Sequence, residues 1–257
     1  MELNPKNGWL GVWPSKGYSA ILDPENVRIE QFLLESRELI KKNSKILDAG
    51  AGICPYRFIF NDFHYESMDM PGGFYNNQHT FESDLSAMPI DNATYDVVIL
   101  TQVLEHVDDP IKVLTEINRV LKPGGLLLLS VPLNAPIHGG PYHFFQFTHY
   151  GLLTLANTCN FIIQDIEKIG GGFWFIGKRL STLFRSLLTS HDPFRAKKRG
   201  QNIFNTTLIF FSLIPFWFVI YLPSAYIIRP LFYWLDFFDI NKELTSGYTS
   251  IFRKKEK

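Results

Sequence analysis

The stretch from Lys45 to Gly52 constrains the fold more than any other part of the chain, because it reads Lys-Ile-Leu-Asp-Ala-Gly-Ala-Gly. An apolar run ends in an acid, and two glycines then bracket one small residue. This pattern is typical of a buried parallel strand that turns into a helix, where glycine lets bare backbone approach a ligand and the helix N-terminus offers N–H groups. It predicts an α/β fold with a nucleotide-type cofactor loop.

Two classes of cofactor use a loop of this kind, and the residues after it favour one of them. A dinucleotide-binding fingerprint has a third glycine, in the order G-x-G-x-x-G, which allows tight packing of helix on strand. Pro55 occupies that position here. The acid directly after the strand, in the order D-x-G-x-G, instead resembles motif I of the class I S-adenosylmethionine-dependent methyltransferases.

The next two segments supply acids where an adenosyl group would be held. Residues 65–69 form a predicted strand that ends in Asp69, whose carboxylate is suited to accept both hydroxyls of a ribose. Further on, Asp84 and Leu85 precede Met-Pro-Ile and Asp91. This stretch resembles a family segment in which an aspartate side chain meets the adenine amino group.

Two more segments complete the order. A β-branched strand over Tyr95–Leu100 leads into Thr-Gln-Val-Leu-Glu-His-Val. The residues from Leu121 to Gly125 predict a helix end and a glycine turn, followed by a buried strand from Leu126 to Val131. In this order the motifs between Ile46 and Val131 resemble the methyltransferase type 11 group. The alternative is an unrelated α/β domain whose matches arise by chance.

The resemblance implies a fold, a cofactor and a set of binding residues. The fold is α/β, with a Rossmann-like seven-stranded sheet that is parallel except for one antiparallel C-terminal strand, and with a hydrophobic helical insertion before that strand. The cofactor is S-adenosyl-L-methionine. The implied cofactor-binding residues are Asp48, Gly50, Ala51, Gly52, Asp69, Met70, Asp84, Leu85, Gln102 and His106.

Histidines supply the candidate catalytic groups. His138 and His143 lie in a loop rich in glycine, proline and aromatic residues after the fifth predicted strand, which suits a substrate pocket at the carboxyl edge of the sheet. Together with His106 they are the candidate bases for a protonated acceptor, since the ordinary histidine pKa is near 6.5. The loop resembles a family block that has aspartate in place of His143 and arginine in place of Gln146. Spacing supplies no third ligand, so no metal site is predicted.

Composition limits which binding partners and which cellular compartment are expected. The chain has 257 residues, enough for one α/β domain with an elaboration, and a formal net charge of zero without a basic stripe, so a nucleic acid partner is not expected. The two cysteines, Cys54 and Cys159, form neither a disulfide framework nor a metal-ligand spacing, which fits a cytoplasmic protein. The N-terminus lacks the charged head and apolar core of a secretory signal.

The N-terminal region is expected to cover the cofactor site. Asp23 and Pro24 have the pattern of a helix start, and residues 27–42 carry apolar side chains at helical spacing. The tryptophan- and glycine-containing segment Gly8–Tyr18 is interpreted either as a lid over substrate or as an arm packed on the domain.

A long apolar segment is the least expected feature, since Asn205–Ile228 contains no charged residue. Three interpretations compete: a transmembrane helix, a monotopic hairpin of two short helices within residues 203–238, and a hydrophobic cap buried in the domain or in a homodimer. Pro215 and Pro223 interrupt the segment. In addition, Gly247–Arg253 resembles the final antiparallel strand of the fold, and a chain that crossed the bilayer once could not return it to the sheet.

These observations predict three segments and a function. Residues 1–177 form a methyltransferase domain with an N-terminal arm, 178–240 a hydrophobic insertion, and 241–257 the returning strand. The predicted function is in-line methyl transfer to a small-molecule or lipid- or glycan-linked acceptor, by an enzyme peripheral or monotopic at the membrane. The alternatives are an inactive membrane-associated scaffold with the same fold and an oxidoreductase that uses a dinucleotide.

Overall fold

A computed structural model describes residues 24–72, 79–190 and 203–256. The described chain divides into two compact units. The sheet unit comprises residues 25–169 and 245–256, and the helical unit comprises residues 170–244. The segment Gly8–Tyr18, interpreted as a lid or a packed arm, and the helix cap at Asp23 lie outside the described residues.

The sheet unit is built on one seven-stranded sheet in the order β3-β2-β1-β4-β5-β7-β6. The strands are β1 (Lys45–Ala49), β2 (His64–Asp69), β3 (Phe81–Glu82), β4 (Tyr95–Thr101), β5 (Leu121–Pro132), β6 (Phe161–Ile169) and β7 (Gly247–Lys254). Strands β1 to β5 pair in parallel, and β7 lies antiparallel between β5 and β6. The predicted fold class is therefore confirmed, including the returning C-terminal strand.

Side chains alternate between the two faces of this sheet, and both faces are buried. One face carries Leu47, Val98, Leu100, Leu127 and Leu129. The opposite face carries Ile46, Val97, Ile99, Leu126 and Leu128. Because successive strand residues point to opposite faces, a strand covered on both sides needs an unbroken apolar run, which is the pattern of β4 and β5.

Three helices belong to the sheet unit: α1 (Pro24–Arg37), α2 (Pro110–Val120) and α3 (His149–Thr158). Asp109 caps α2 by accepting a hydrogen bond from the Lys112 N–H at 3.0 Å, and Thr148 caps α3 in the same way. Short 3-10 turns span Arg57–Phe60 and Leu104–His106.

Helix α1 ends five residues before the predicted position, Lys42. The N–H groups of Leu39 and Ile40 bond three residues back, to Ser36 and Arg37, which tightens the chain out of the α-helix. Asn43 then takes a positive φ of 65°. The apolar periodicity therefore continued past the residue at which the backbone left the helix.

Two other features of the sheet differ from the sequence prediction. Strand β3 was not predicted, since it has only two residues. Strand β5 begins at Leu121, opposite Tyr95, while Leu126 lies opposite Val97. The expected glycine turn is therefore an irregularity within the strand rather than a linker before it.

The helical unit contains α4 (Gly172–Ser190), α5 (Ile203–Phe216), two π-helical turns (Trp217–Tyr221 and Ser224–Ile228), α6 (Arg229–Leu235) and a 3-10 turn (Asp236–Phe238). Helical turns follow one another without a break from residue 203 to residue 238, and we call this segment the apolar run. Pro215 and Pro223 lie inside it, and the π-helical turns adjoin them. Of the three interpretations of this segment, a hairpin of two separate short helices does not match this unbroken run of helical turns.

Helix α4 packs on the apolar run, and two carboxylates fix the start of α4. Buried Asp236 accepts hydrogen bonds from the N–H groups of Gly171 and Trp174 at 2.8 and 3.0 Å, and Asp239 accepts one from Gly172 at 2.6 Å. Anionic caps complement the positive end of a helix dipole. Because these carboxylates follow the apolar run, they place its C-terminal end beside the N-terminal end of α4.

The apolar run exposes about half of the large apolar side chains whose burial the structure describes. Residues 218–238 form the one helix among the described residues that is long and apolar enough to cross a membrane, and only 11% of its most apolar stretch is buried. The exposed large side chains of the run include Leu208, Ile209, Phe211, Phe218, Val219, Tyr226, Ile227, Leu231, Trp234, Phe237 and Phe238. This surface differs from a protein core, in which such residues are buried.

Candidate cofactor and acceptor site

The loop after β1 is shaped by Gly50. The N–H groups of Gly50 and Ala51 both donate to the Met68 carbonyl, at 2.8 and 3.0 Å. Gly50 has a φ of +69°, and a Cβ atom there would lie 2.6 Å from Cγ2 of Val103. Only glycine fits this position, so the loop passes close to the end of β4 with its backbone bare.

Asp69, at the end of β2, holds the second half of the same loop. Its Oδ2 accepts a hydrogen bond from the Gly52 N–H at 2.7 Å, and its Oδ1 accepts one from the Met70 N–H at 2.7 Å. An ionised carboxylate offers about four lone-pair sites, so acceptor capacity remains for a pair of ribose hydroxyls. The side chain of Met70 is exposed beside it.

Asp48 lies beneath the loop rather than on its surface. The side chain is buried and accepts a hydrogen bond from the Tyr65 hydroxyl. The pKa of Asp48 is raised to about 6, chiefly by burial, with the Tyr65 hydrogen bond opposing the increase and the charge of Asp69 adding to it. The structure therefore places this predicted cofactor residue as a support under the glycines.

The remaining predicted cofactor residues are spread along the same sheet edge. Asp84 is exposed, with its Oδ1 accepting from the Ser86 N–H at 2.7 Å, and Leu85 is buried behind it. Gln102 has a positive φ of 54° and donates from its backbone N–H to the Ser130 carbonyl at 2.9 Å. This bond ties the end of β4 to β5.

The three histidines predicted as catalytic come together in one cluster. The ring centroids of His106 and His138 are 4.8 Å apart, those of His138 and His143 are 4.5 Å apart, and those of His106 and His143 are 5.6 Å apart. The loop after β5 folds back because the Phe144 N–H donates to the Glu105 carbonyl at 2.8 Å. Gly139 permits the approach, since a Cβ atom there would lie 3.3 Å from the His106 ring.

Hydrogen bonds fix which nitrogen of each ring carries the proton. Nδ1 of His138 lies 2.9 Å from the Pro136 carbonyl, and Nδ1 of His106 contacts the Tyr142 carbonyl. A carbonyl only accepts, so both Nδ1 atoms are protonated and both Nε2 atoms keep a lone pair. His143 is reversed, because its Nδ1 accepts from the His138 N–H at 3.1 Å. Neutral His143 therefore has Nε2–H and no free lone pair, and it supports the loop.

Glu105 is the functional candidate that the sequence prediction missed. Its side chain is 0% exposed, and neither carboxylate oxygen has a hydrogen-bond partner among the described residues. Oε1 lies 3.9 Å from Nε2 of His106. Burial raises the pKa of Glu105 to about 7 and lowers that of His106, whose two neighbouring histidines lower it further. The signal available in the sequence was the Glu-His dipeptide directly after a predicted strand.

The part of this site that contains the glycine loop, Asp69 and Glu105 lies in a region that matches a known family. Residues 42–129 match the family described as a methyltransferase domain. Over 88 residues the chain is 33% identical to a probable S-adenosylmethionine-dependent methyltransferase from Mycolicibacterium smegmatis, which covers 32% of this chain and 34% of that protein. The chain carries an S-adenosylmethionine-dependent methyltransferase domain.

A second relative is also named as a methyltransferase. Over 78 residues the chain is 35% identical to a ubiquinone/menaquinone biosynthesis C-methyltransferase from Idiomarina loihiensis, with coverage of 29% of this chain and 31% of that protein. The chain thus spans about a third of the length of these relatives. The glycine loop, Asp69 and Glu105 lie within the matched residues 42–129, whereas His138 and His143 lie outside them.

Solved structures confirm the fold of the methyltransferase domain. A sarcosine dimethylglycine methyltransferase from Galdieria sulphuraria superposes with a TM-score of 0.53 at 15% identity, covering 91% of both chains. The cyclase SpnF superposes with a TM-score of 0.55 at 15% identity, covering 90% of this chain and 81% of its own. Because one neighbour is named as a methyltransferase and the other as a cyclase, this likeness describes architecture alone.

Proposed function

We propose that the chain transfers the methyl group of S-adenosylmethionine to a small-molecule or lipid- or glycan-linked acceptor. The observation that carries the proposal is the glycine loop, whose Gly52 N–H is bonded to the carboxylate of Asp69 at 2.7 Å. This arrangement places a carboxylate beside a bare glycine backbone at the carboxyl ends of β1 and β2. Ligands of open α/β sheets bind at such an edge.

Methyl transfer requires little more than alignment. The acceptor attacks the methyl carbon as the bond to sulfur breaks, so the site must hold three atoms in line and exclude water. A hydroxyl acceptor must also lose its proton. The lone pairs at Nε2 of His106 and His138 are suited to that step, while His143 holds the backbone of His138.

The acceptor class follows from the exposed surface of the apolar run. Apolar patches larger than a few hundred square ångströms are rare on proteins that do not bind a partner or a membrane. A helix of 21 residues with exposed Trp234 and Tyr226 suits the interface of a bilayer, where aromatic rings concentrate. Helix α4 beside it carries Lys178, Arg179 and Arg185, which suits the headgroup region rather than the hydrocarbon. We therefore place the protein at one leaflet, as a monotopic cytoplasmic enzyme.

A membrane location favours an acceptor delivered by the bilayer, such as an isoprenoid quinone precursor or a lipid-linked glycan. The relative from Idiomarina loihiensis is named for ubiquinone and menaquinone biosynthesis, which agrees with the first class. The test is incubation of the protein with methyl-labelled S-adenosylmethionine and either a membrane fraction or a soluble extract. Label transferred to a membrane component is expected. The Asp69→Ala variant serves as the background, and label no higher than this background in both fractions overturns the proposal.

Vesicle flotation tests the location separately. The triple variant Phe218→Ser, Val219→Ser, Ile227→Ser removes exposed apolar side chains from the apolar run. A matched triple variant, Leu39→Ser, Ile111→Ser, Ile162→Ser, removes exposed apolar side chains from the sheet unit. We expect the first to lose flotation and the second to keep it. Equal flotation of both would reject the membrane, and a dimer that dissociates only in the first variant would assign the surface to a second copy of the chain.

A further inference from the structure

The cluster around Glu105 also has the composition of a metal site. Glu105, His106 and His138 each offer one ligand atom, and these atoms lie within 4.8 Å of one another. The sequence prediction of no metal rested on a missing third ligand. The fold supplies it by bringing Glu105 and His106, from the end of β4, to His138, from the loop after β5. We propose that these three side chains bind one divalent first-row transition-metal ion of the Zn²⁺ type.

Both histidines are oriented as metal ligands are. Protein histidines that bind a metal through one nitrogen usually donate the other N–H to a carbonyl or a carboxylate, which fixes the ring. His138 donates from Nδ1 to the Pro136 carbonyl, and His106 donates from Nδ1 to the Tyr142 carbonyl. Each Nε2 therefore keeps a lone pair that is available for coordination, and both rings are held by backbone rather than by mobile side chains.

The unpartnered carboxylate is a second and independent observation. Glu105 is fully buried, both of its oxygens lack a hydrogen bond, and it forms no ion pair with a lysine or an arginine among the described residues. Burying an acid in this way is costly unless it is paired or coordinates a metal. A divalent cation between Glu105 and the two Nε2 atoms would balance its charge.

The ligand set selects the class of ion. Two imidazoles and one carboxylate form the ligand set of catalytic zinc sites with an open fourth position, whereas Mg²⁺ and Ca²⁺ prefer oxygen ligands. Zinc bonds of about 2.0–2.2 Å need the ligand atoms closer together than 4.8 Å, so side-chain torsions must close the cluster by about an ångström. Burial falls from Glu105 through His106 to exposed His138, which leaves one side open for water or an acceptor oxygen.

The ion would change how the proposed reaction removes a proton. A nitrogen that binds a metal cannot also accept a proton, so the loaded site would acidify an acceptor oxygen by coordination. The inference itself does not rest on the proposed methyl transfer, because metal uptake is measured without methyl donor or acceptor. Failure of either experiment therefore leaves the other interpretable.

The experiment measures zinc binding to tag-free protein that has been treated with a chelator and dialysed. Calorimetric titration with Zn²⁺ is expected to give about one ion per chain, with an affinity that falls at least roughly a hundredfold in Glu105→Gln and in His138→Ala. His138 lies on an exposed loop, so its variant should fold even if the Glu105 variant does not. Titration with Co²⁺, followed by visible absorption, should show nitrogen ligation in the wild type and lose it in His138→Ala.

The controls are His64→Ala and Glu38→Gln, which alter an exposed histidine and an exposed glutamate outside the cluster. Both should bind zinc as the wild type does. His143→Ala should weaken binding by only about tenfold, since His143 positions the loop without offering a lone pair. A wild type that takes up no more zinc than the double variant Glu105→Gln, His138→Ala would overturn the proposal, as would an equal loss in the controls.

Discussion

The sheet unit and the helical unit use apolar residues for opposite purposes. In the sheet unit Val98 is 0% exposed within a strand covered on both faces, whereas in the helical unit Val219 is 72% exposed on a long helix. Burial of apolar side chains stabilises the first arrangement, while exposure in the second costs little only if another surface covers it. Equally apolar stretches of sequence can therefore lie in a core or on an exposed surface.

The two units also differ in how they use carboxylates. In the sheet unit, acids at the strand ends bind backbone donors and keep acceptor capacity for a ligand, as Asp69 does. In the helical unit, Asp236 and Asp239 accept hydrogen bonds from the backbone N–H groups at the start of α4. Acids of the sheet unit thus keep acceptor capacity, whereas these two acids of the helical unit serve to start a helix.

The largest effect is expected at Asp69. Substitution by alanine removes the anchor of Gly52 and the proposed acceptor for two ribose hydroxyls, and each charge-assisted hydrogen bond contributes about 2 kcal/mol. Affinity for S-adenosylhomocysteine should fall by about 4 kcal/mol, or roughly a thousandfold, in a calorimetric titration. The exposed acid Asp91, changed to asparagine, is the control. An unchanged affinity in the Asp69 variant would show that this part of the sheet unit does not bind the cofactor.

A smaller effect is expected on the pH dependence of stability, through the buried Asp48 of the sheet unit. The folded state raises the pKa of Asp48 from 3.8 to about 6, so between these values the folded protein binds more protons than the unfolded chain. Stability contributed by Asp48 is thus present at low pH and is lost as pH rises through 6, by about 3 kcal/mol. Asp48→Asn should unfold like the wild type near pH 4 and be more stable at pH 7, as measured by urea denaturation. A constant difference across pH would contradict the assignment.

A matched pair of valines tests the comparison itself. Val98→Ala should lower the free energy of unfolding by about 2–3 kcal/mol, because a buried side chain leaves a cavity. Val219→Ala should change it by less than about 0.5 kcal/mol, since the side chain is exposed. Chemical denaturation of both variants in dilute, lipid-free buffer gives the two values. Equal losses would show that Val219 is covered in solution.

The smallest effect concerns the cap of α4. Asp236→Ala leaves the N–H groups of Gly171 and Trp174 without their acceptor and should cost about 1.5 kcal/mol. Hydrogen exchange of peptides from residues 172–190 should speed up, while peptides from β4 and β5 stay protected. Asp236→Asn retains one oxygen acceptor, so its stability and its exchange rates should lie between those of the wild type and those of Asp236→Ala. Faster exchange throughout the sheet would mean that the units do not respond separately.

Prediction from sequence succeeded where a local pattern determines the structure. The apolar runs at β1, β4 and β5, the acid at the end of β2 and the returning β7 were all predicted, because a parallel sheet covered on both faces leaves that pattern. Strand β3 escaped because two residues carry no period. The apolar run was predicted as apolar, but its unbroken helix was not, since its two prolines indicated interruptions.

The candidate site shows the same limit more sharply. Each histidine was identifiable by type and by its position after a strand, but the contact of His106 with His138 depends on a backbone bond between Phe144 and Glu105, far apart in sequence. No local sequence pattern predicts a hydrogen bond between residues so far apart in the chain. The burial of Glu105 and the protonation of each ring follow from that fold-back, so the candidate metal site could not be predicted from spacing.

A crystal structure of the complex with S-adenosylhomocysteine tests the central claim most directly. The ribose hydroxyls should lie within about 3 Å of the Asp69 carboxylate, with the glycine loop along the amino acid portion of the ligand and the Glu105 cluster on the side facing the sulfur. A complex in which the ligand binds elsewhere, or in which side chains fill the space above Gly50 and Gly52, would contradict the account.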